Sequence, residues 1–276
     1  MRFFLILLIF FSGLSAKELA NSKNLIENIS SIDAEIDWTD GVIRIKASIP
    51  YTPRTQNIGR LFNEINNDIS ENLKGKILKA LGVVKVSDNY YIKDYYNAYS
   101  DKRYQITEFV EKTVFYPTVK DKNEYKGSAE LPLFGKDSIV DIFFQNIKKV
   151  EPTNYLDLSK DLEYYDTLVI DLSPYPDFSP SLSPRIYDED GNLVFGPETV
   201  DYEIFKKMGL CFYTKTLSSA FSSSRTGKRI FYTMPKMIKG ELNTDIVIFN
   251  EDAKKLLSNR KTLSYLKNCN VIIVKP

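Results

Sequence analysis

From residue 54 to residue 81 apolar side chains recur in steps of three and four: Ile58, Leu61, Phe62, Ile65, Ile69, Leu73, Ile77, Leu78 and Leu81. That spacing draws one apolar stripe along a long helix. Gly82 follows as a residue suited to the helix end. Before it, Ile36 to Pro50 reads as a hairpin. Trp38 precedes the turn residues Asp40-Gly41, and Val42, Ile43, Ile45 and Ile49 follow, with Pro50 and Pro53 closing the run. Residues 17–33 are polar and carry no strong pattern. Val83 to Val86 reads as a short strand. Ser87 or Asp88 would cap a helix carrying Tyr91, Ile92, Tyr95, Tyr96 and Tyr99, resuming at Ile106, Phe109 and Val110. Thr113 to Val119 and Tyr125 to Leu133 read as strands, and Ile139, Ile142, Phe143 and Ile147 as a short helix. This makes a β-α-α-β-β-α unit to about residue 150. Glu151 to Asp161 is a polar linker.

The second half has another rhythm. Thr167 to Leu172 is continuously apolar up to Asp171, as expected of a strand buried on both faces. Residues 173–184 hold four of the twelve prolines and predict a stiff, extended loop. Asp190-Gly191 lies between Arg185-Ile186-Tyr187 and Leu193-Val194-Phe195, a second hairpin signal. Val200 to Met208 predicts a helix stopped by Gly209, Leu210 to Tyr213 a strand, and Leu217 to Phe221 a helical turn. Ile230 to Gly240 is extended around Pro235. Thr244 to Phe249 is a strong strand, followed by a helix capped at Asn250, a short helix capped at Thr262, and a last strand, Val271 to Val274. The expected fold class is α+β. A small sheet with a long amphipathic helix forms an N-terminal domain over 17–150, and a mixed α/β sheet forms a C-terminal domain over 164–276.

The first sixteen residues stand apart. Arg2 precedes nine apolar residues, Phe3 to Phe11, and then small residues at Gly13, Ser15 and Ala16. This is a secretory signal pattern with cleavage after Ala16. A run of nine is too short for a bilayer core that needs about 20 residues. With no cysteine near the cleavage site, lipid attachment is not available there. The mature chain is expected outside the cytoplasm, in the periplasm or associated with the outer membrane, with no membrane span left after cleavage.

Composition narrows the chemistry. The chain of 276 residues has 37 Lys+Arg, 36 Asp+Glu and no His. A formal charge of +1, about zero once Arg2 is removed, gives no overall pull toward nucleic acid. Lack of His removes the commonest general base and metal ligand, and two cysteines cannot make a cysteine-rich zinc site. Cys211 and Cys269 admit a disulfide in an oxidising compartment. Their apolar neighbours favour the other reading, two buried reduced thiols.

Each candidate motif has a plainer explanation. Gly227-Lys228 lacks the earlier Gly and the following Ser or Thr of a phosphate loop. Asp188-Glu189-Asp190-Gly191 covers half a calcium loop, but Ile186 and Pro197 occupy two ligand positions, and a hairpin turn accounts for Asp-Gly. Ser258-x-x-Lys261 and Ser264-x-x-Lys267 have an acyl-enzyme spacing without its supporting motifs. The acid pairs Asp157/Asp161 and Glu251/Asp252 fit caps and solvated helix faces. Asp171 merits attention, because ligands gather at the carboxyl ends of strands in open α/β sheets. The Tyr90-Tyr91, Tyr95-Tyr96 and Tyr164-Tyr165 pairs could stack sugars or bases, but core and interface packing is the favoured reading. No catalytic residue, metal ligand or cofactor site is read from the sequence.

The blocks TLVIDL (167–172) and SLSPRIYDEDGNLVFG (181–196), then Val200-Asp201, Gly209, Tyr213 and Ala220, and finally TDIVIFNEDAKKLL (244–257) and LSYLKNCNVIIVK (263–275), resemble a family of exported bacterial proteins. That family is related to flagellar assembly protein T and small outer-membrane lipoproteins. WTDGVIRIKASIP (38–50), leading into the long helix, resembles its amphipathic-helix domain. The resemblance implies a non-enzymatic structural or assembly protein of the cell envelope, with flagellar basal-body or outer-membrane proteins as partners. The constrained loop and hairpin then supply the expected contact surface: Asp171, Ser183, Arg185, Tyr187, Asp190 and Gly191. The residues alone leave a second reading, a periplasmic ligand-binding module for a glycan or another small ligand, built around Asp171 and nearby tyrosines.

Overall fold

The computed structural model describes residues 23–50, 58–152 and 163–276. The segment read as an export signal, Pro53, the expected start of the long helix at residue 54, and Asp157 and Asp161 lie outside the described residues. The architecture is α+β, as the periodicities predict.

The N-terminal sheet has five antiparallel strands in the order β1-β2-β3-β5-β4: β1 (Ile26–Ile29), β2 (Ala34–Asp37), β3 (Val42–Pro50), β4 (Val119–Asp121) and β5 (Glu124–Pro132). Alternation in β3 does the sorting. Ile43, Ile45 and Ala47 are buried, whereas Arg44 and Lys46 lie on the opposite face. Helix α1 (Ile58–Gly82) lays its stripe of Ile65, Ile69, Leu73, Ile77 and Leu81 against the buried face. Each such side chain contributes roughly 1.5–3 kcal/mol on burial. Gly127 in β5 permits the close approach, since a Cβ there would stand 2.4 Å from Ile69 Cγ2. On the open face Arg44 bridges Glu35, Asp37, Asp40 and Glu130.

Several local expectations change. The polar stretch before residue 33 contributes β1, which is turned back by a 3₁₀ turn, Ser30–Ile32, and a left-handed Asp33. Thr113 to Val119 is not a strand. Phe115 makes a single bridge to Ala129, and regular pairing begins only at Val119. Pro117 has no N–H for a ladder, which explains the break. Val83 to Val86 forms a tongue rather than a strand, closed by one bridge between Lys85 and Tyr91. Helices α2 (Ile92–Ala98), α3 (Ser100–Glu111) and α4 (Val140–Phe144) complete this half, and the Tyr91 N–H donates to Asp94 Oδ2 at the start of α2.

The C-terminal half begins with β6 (Thr167–Asp171), buried along its whole length. It lies in a parallel sheet, β10-β6-β13-β9, with β9 (Phe212–Thr214), β10 (Ile230–Thr233) and β13 (Val271–Val274). A second sheet, β11-β12-β7-β8, contains β7 (Ile186–Tyr187), β8 (Leu193–Phe195), β11 (Met237–Lys239) and β12 (Asp245–Val247). Its β12–β7 pair is parallel and its outer pairs are antiparallel. Helices α5 (Tyr202–Met208), α6 (Leu217–Phe221), α7 (Asn250–Leu257) and α8 (Arg260–Lys267) cover these sheets. Asn259, not Thr262, caps α8. The Asn259 carboxamide oxygen accepts from Lys261 N, while the buried Thr262 hydroxyl accepts from Tyr165 N. No helix of the described residues is long and apolar enough to cross a membrane.

Buried side chains from both halves join in one apolar core. Trp38 meets Tyr213 edge-on at 5.8 Å between ring centroids, and Phe144 meets Phe205 at 5.1 Å. Asp141 of α4 accepts from the Tyr202 hydroxyl at 2.7 Å and pairs with Lys206 at 2.8 Å.

Candidate functional site

Asp171 ends β6 where the proline-bearing loop departs. Its side chain is 3% exposed. Oδ1 accepts from the Ser173 N–H at 2.9 Å and the Ser173 hydroxyl at 2.5 Å, and Oδ2 accepts from the Tyr232 hydroxyl at 2.7 Å. Burial opposes the charge, but the hydrogen bonds from Ser173 and Tyr232 outweigh it and hold the carboxyl pKa below its ordinary value. The same contact pushes the Tyr232 phenol up to about 12. Asp171 is thus an ionised anchor for its own loop and for β10, with both oxygens engaged inside the chain.

The remaining contact-surface residues divide by depth. Ser183 is fully buried, and its hydroxyl donates to Val86 O at 2.5 Å, so it binds the tongue of the N-terminal half. Arg185 forks onto Glu198, with its Nη2 at 2.5 Å from Oε1. Tyr187 is half-buried beneath Lys239, whose Nζ stands 4.1 Å from the ring centroid. Asp190 and Gly191 are exposed at the hairpin tip. The loop 173–184 is also less open than its composition implies, since Phe178, Ser181 and Leu182 have no exposed surface. Its constraint comes from being packed between the two halves.

The motif fragments are spent on structure. The carboxylate of Asp166 accepts from Lys228 N at 2.9 Å and Arg229 N at 3.0 Å, and Thr167 Oγ1 accepts from Gly227 N at 2.8 Å. The Gly-Lys loop is wrapped around a carboxylate of its own chain. Asp188 Oδ1 accepts from Asp190 N and Asn192 N, so the half calcium loop is a side-chain-braced turn. Among the described residues, no group of three acidic, Cys or His side chains is placed to hold a metal ion. Ser258 donates to Lys255 O, and Lys261 lies 4.8 Å from the Tyr164 ring centroid. Lys267 pairs with Glu151, and Asp252 accepts from the Thr233 hydroxyl.

Cys211 and Cys269 are free and buried. Burial pushes both thiols up to about 12. Beside them lies Arg225, itself buried, whose Nη1 donates to Gly209 O and Cys269 O at 3.1 Å each and whose Nη2 donates to Met208 O. Two of these carbonyls lie at the end of α5, where a cation opposes the helix dipole.

Two of the outward-facing surfaces among the described residues combine apolar and polar side chains in a way that bears on binding. A cleft of about 700 Å³ lies between α3, α4 and the end of β5, with Phe109, Val114, Pro132 and Ile142 beside Glu108 and Lys112. Around the corner, Tyr90, Tyr95 and Tyr99 form a row with centroid spacings of 5.4 and 5.9 Å, backed by Phe143 at 5.0 Å from Tyr95. Tyr90 and Tyr99 are half-exposed. Tyr165, by contrast, packs edge-on against Phe231 at 4.9 Å.

Sequence reasoning passed over Asp166, Arg225 and Asp245. Asp245 is buried within an apolar strand, and a charge inside that run was the available signal. Asp166 and Arg225 carry no local signal, because their partners are distant in the chain.

No curated protein matches the chain. Residues 167–276, from the first residue of β6 to the C-terminus, match the bacterial family described as Treponema pallidum Tp0624, second domain.

Proposed function

We propose that the chain is a non-enzymatic structural or assembly protein of the bacterial cell envelope, exported by its N-terminal signal and acting through protein contacts. The observation that carries the reading is how the polar groups are used. Asp166, Asp171 and Asp188, which lie where ligands or catalysis would be sought, are engaged by the chain's own loops. The half-exposed tyrosine row supplies the kind of aromatic surface enriched at protein interfaces. The match to a domain of a bacterial protein is compatible with this reading. Flagellar association, with basal-body or outer-membrane proteins as partners, is the finer form of the proposal and rests on the sequence resemblance.

The test is mild crosslinking of the tagged mature protein in its native envelope, followed by affinity capture. Defined basal-body or outer-membrane proteins, recovered with wild type and lost with Tyr90→Ala/Tyr99→Ala, are the expected result. A monomer with no crosslinked protein would overturn it.

A ligand-binding reading draws support from the 700 Å³ cleft, a volume in the range of small-molecule sites. Its location is the α3–α4 side rather than Asp171. Glycan fragments that perturb Phe109 and Ile142 resonances in an NMR titration would favour it.

A further inference from the structure

The tongue at residues 83–91 reaches from the N-terminal half into the C-terminal half. Val84 and Val86 are buried. Lys85 O accepts from Leu182 N at 2.9 Å, Val86 O from the Ser183 hydroxyl at 2.5 Å, and Asp88 O from Leu242 N at 3.1 Å. The Asp88 carboxylate lies against the turn after β11 and accepts from Glu241 N and Leu242 N at 3.3 Å each. Gly240 makes room for it, since a Cβ there would fall 1.8 Å from Asp88 Oδ1.

Immediately behind that turn lies Asp245, 5% exposed in β12. Its Oδ1 accepts from Arg185 N at 3.0 Å and from the Thr244 hydroxyl at 3.3 Å. The charges around it are unevenly shared. The Arg185 guanidinium is committed to Glu198 through both carboxylate oxygens. Lys239 stacks on Tyr187. Asp88, on the tongue, repels a charge on Asp245, while Arg185 attracts it. The Arg185 guanidinium that Glu198 already holds therefore serves Asp245 and the Tyr187 phenol as well, while Asp245 also faces the Asp88 carboxylate of the tongue.

We propose that Asp245 is the titrating element of a pH-sensitive junction, which holds the tongue 83–91 on the C-terminal half in mildly acid medium and loosens it toward neutrality. Neutral Asp245 fits its buried place and does not repel Asp88. Ionised Asp245 does both badly. Burial raises its pKa to about 6 from an ordinary 3.8, despite the opposing hydrogen bond and charge of Arg185. The closed junction thus binds a proton more tightly than an open one. Its added stability is fully present below about pH 4 and is lost as pH rises through about 6. If opening returns Asp245 to an ordinary carboxyl, the opening constant rises about tenfold between pH 5 and pH 7.

The test is amide hydrogen exchange of Val86 and Ile92 in the full mature chain, corrected for intrinsic rates, at pH 5 and pH 7. About tenfold weaker protection at pH 7, flattened in Asp245→Asn, is expected. Equal pH dependence in wild type and Asp245→Asn would overturn the proposal. Should that variant fold poorly, ¹³C-carboxyl NMR of wild type gives an independent reading. An Asp245 midpoint near 6 that falls in Asp88→Asn supports the junction, and a midpoint near 4 overturns it. The proposal does not depend on the envelope reading, since it would stand or fall whatever the partner.

Discussion

The Tyr232 hydroxyl donates to Asp171 Oδ2 at 2.7 Å, tying the outward-facing Tyr232 of edge strand β10 to the buried end of central strand β6. The bond is charge-assisted, and its carboxylate retains Ser173 as a second partner. Tyr232→Phe should therefore cost about 1.5–3 kcal/mol at pH 7 by urea denaturation. The sign with pH follows from the lowered Asp171 pKa. Its stabilisation is present above the ordinary value of 3.8 and is lost as pH falls through the lower folded value. The difference between wild type and Tyr232→Phe should accordingly shrink in strong acid. A penalty independent of pH would mean that Tyr232 acts by packing alone.

Gly127 sets the distance between α1 and the N-terminal sheet. A methyl group added there meets Ile69 Cγ2 at 2.4 Å and Leu73 Cδ1 at 3.4 Å. Gly127→Ala should destabilise by about 1–3 kcal/mol through overpacking. Ile69→Leu in the Gly127→Ala background should recover part of that loss, because leucine lacks the Cγ2 methyl that clashes. Additive losses in the double variant would place the strain elsewhere.

How much of this was legible depends on the range of the determining contact. The α1 stripe from Ile65 to Leu81, apart from the exposed Leu78, the buried run of β6 and the Asp40-Gly41 and Asp190-Gly191 turns are local signals that formed where the pattern placed them, whereas Phe62, read as part of the stripe, is exposed. β1 was not legible, because a short edge strand needs no alternation when its partner β2 supplies the buried face. Pro117 shows the opposite case, in which a local steric rule overrides the β-rich composition of its neighbours. At the candidate site, Asp171 could be singled out at a strand end, but its engagement by Tyr232 could not, since sixty-one residues separate the pair. Ser183 was equally opaque. Its partner, Val86 O, belongs to the other half of the chain.

Gly227 and Asp166 form a second interdependent pair. A Cβ on Gly227 would fall 2.3 Å from the Asp166 carboxylate, which accepts the N–H groups of Lys228 and Arg229. Gly227→Ala should therefore expel the carboxylate and lose about 2–4 kcal/mol. Asp166→Ala should cost less, since the freed N–H groups of an exposed loop can turn to water. In the double variant the clash is gone, so the losses should fall short of additive by about 1–3 kcal/mol. Strict additivity in a double-mutant cycle would show that the loop is not organised around Asp166.

The two cysteines give a prediction about reactivity. With folded thiols pushed up to about 12 by burial, the thiolate fraction at pH 8 is on the order of one in ten thousand. An unfolded thiol near pKa 8.5 would be roughly a quarter ionised at that pH. Iodoacetamide should therefore label neither Cys211 nor Cys269 in the native protein on the timescale that labels both in urea without reductant. Arg225 supplies the second half of the argument. It closes this region by donating to the carbonyls of Met208, Gly209 and Cys269. Arg225→Leu leaves those acceptors unmet and should open the region, so native labelling should accelerate even though loss of the nearby cation makes each thiol less acidic. Mass spectrometry of the native, urea-treated and Arg225→Leu samples separates the outcomes. Rapid native labelling of wild type would contradict the burial. A mass two hydrogens short, with no label in urea until reductant is added, would instead reveal a Cys211–Cys269 disulfide.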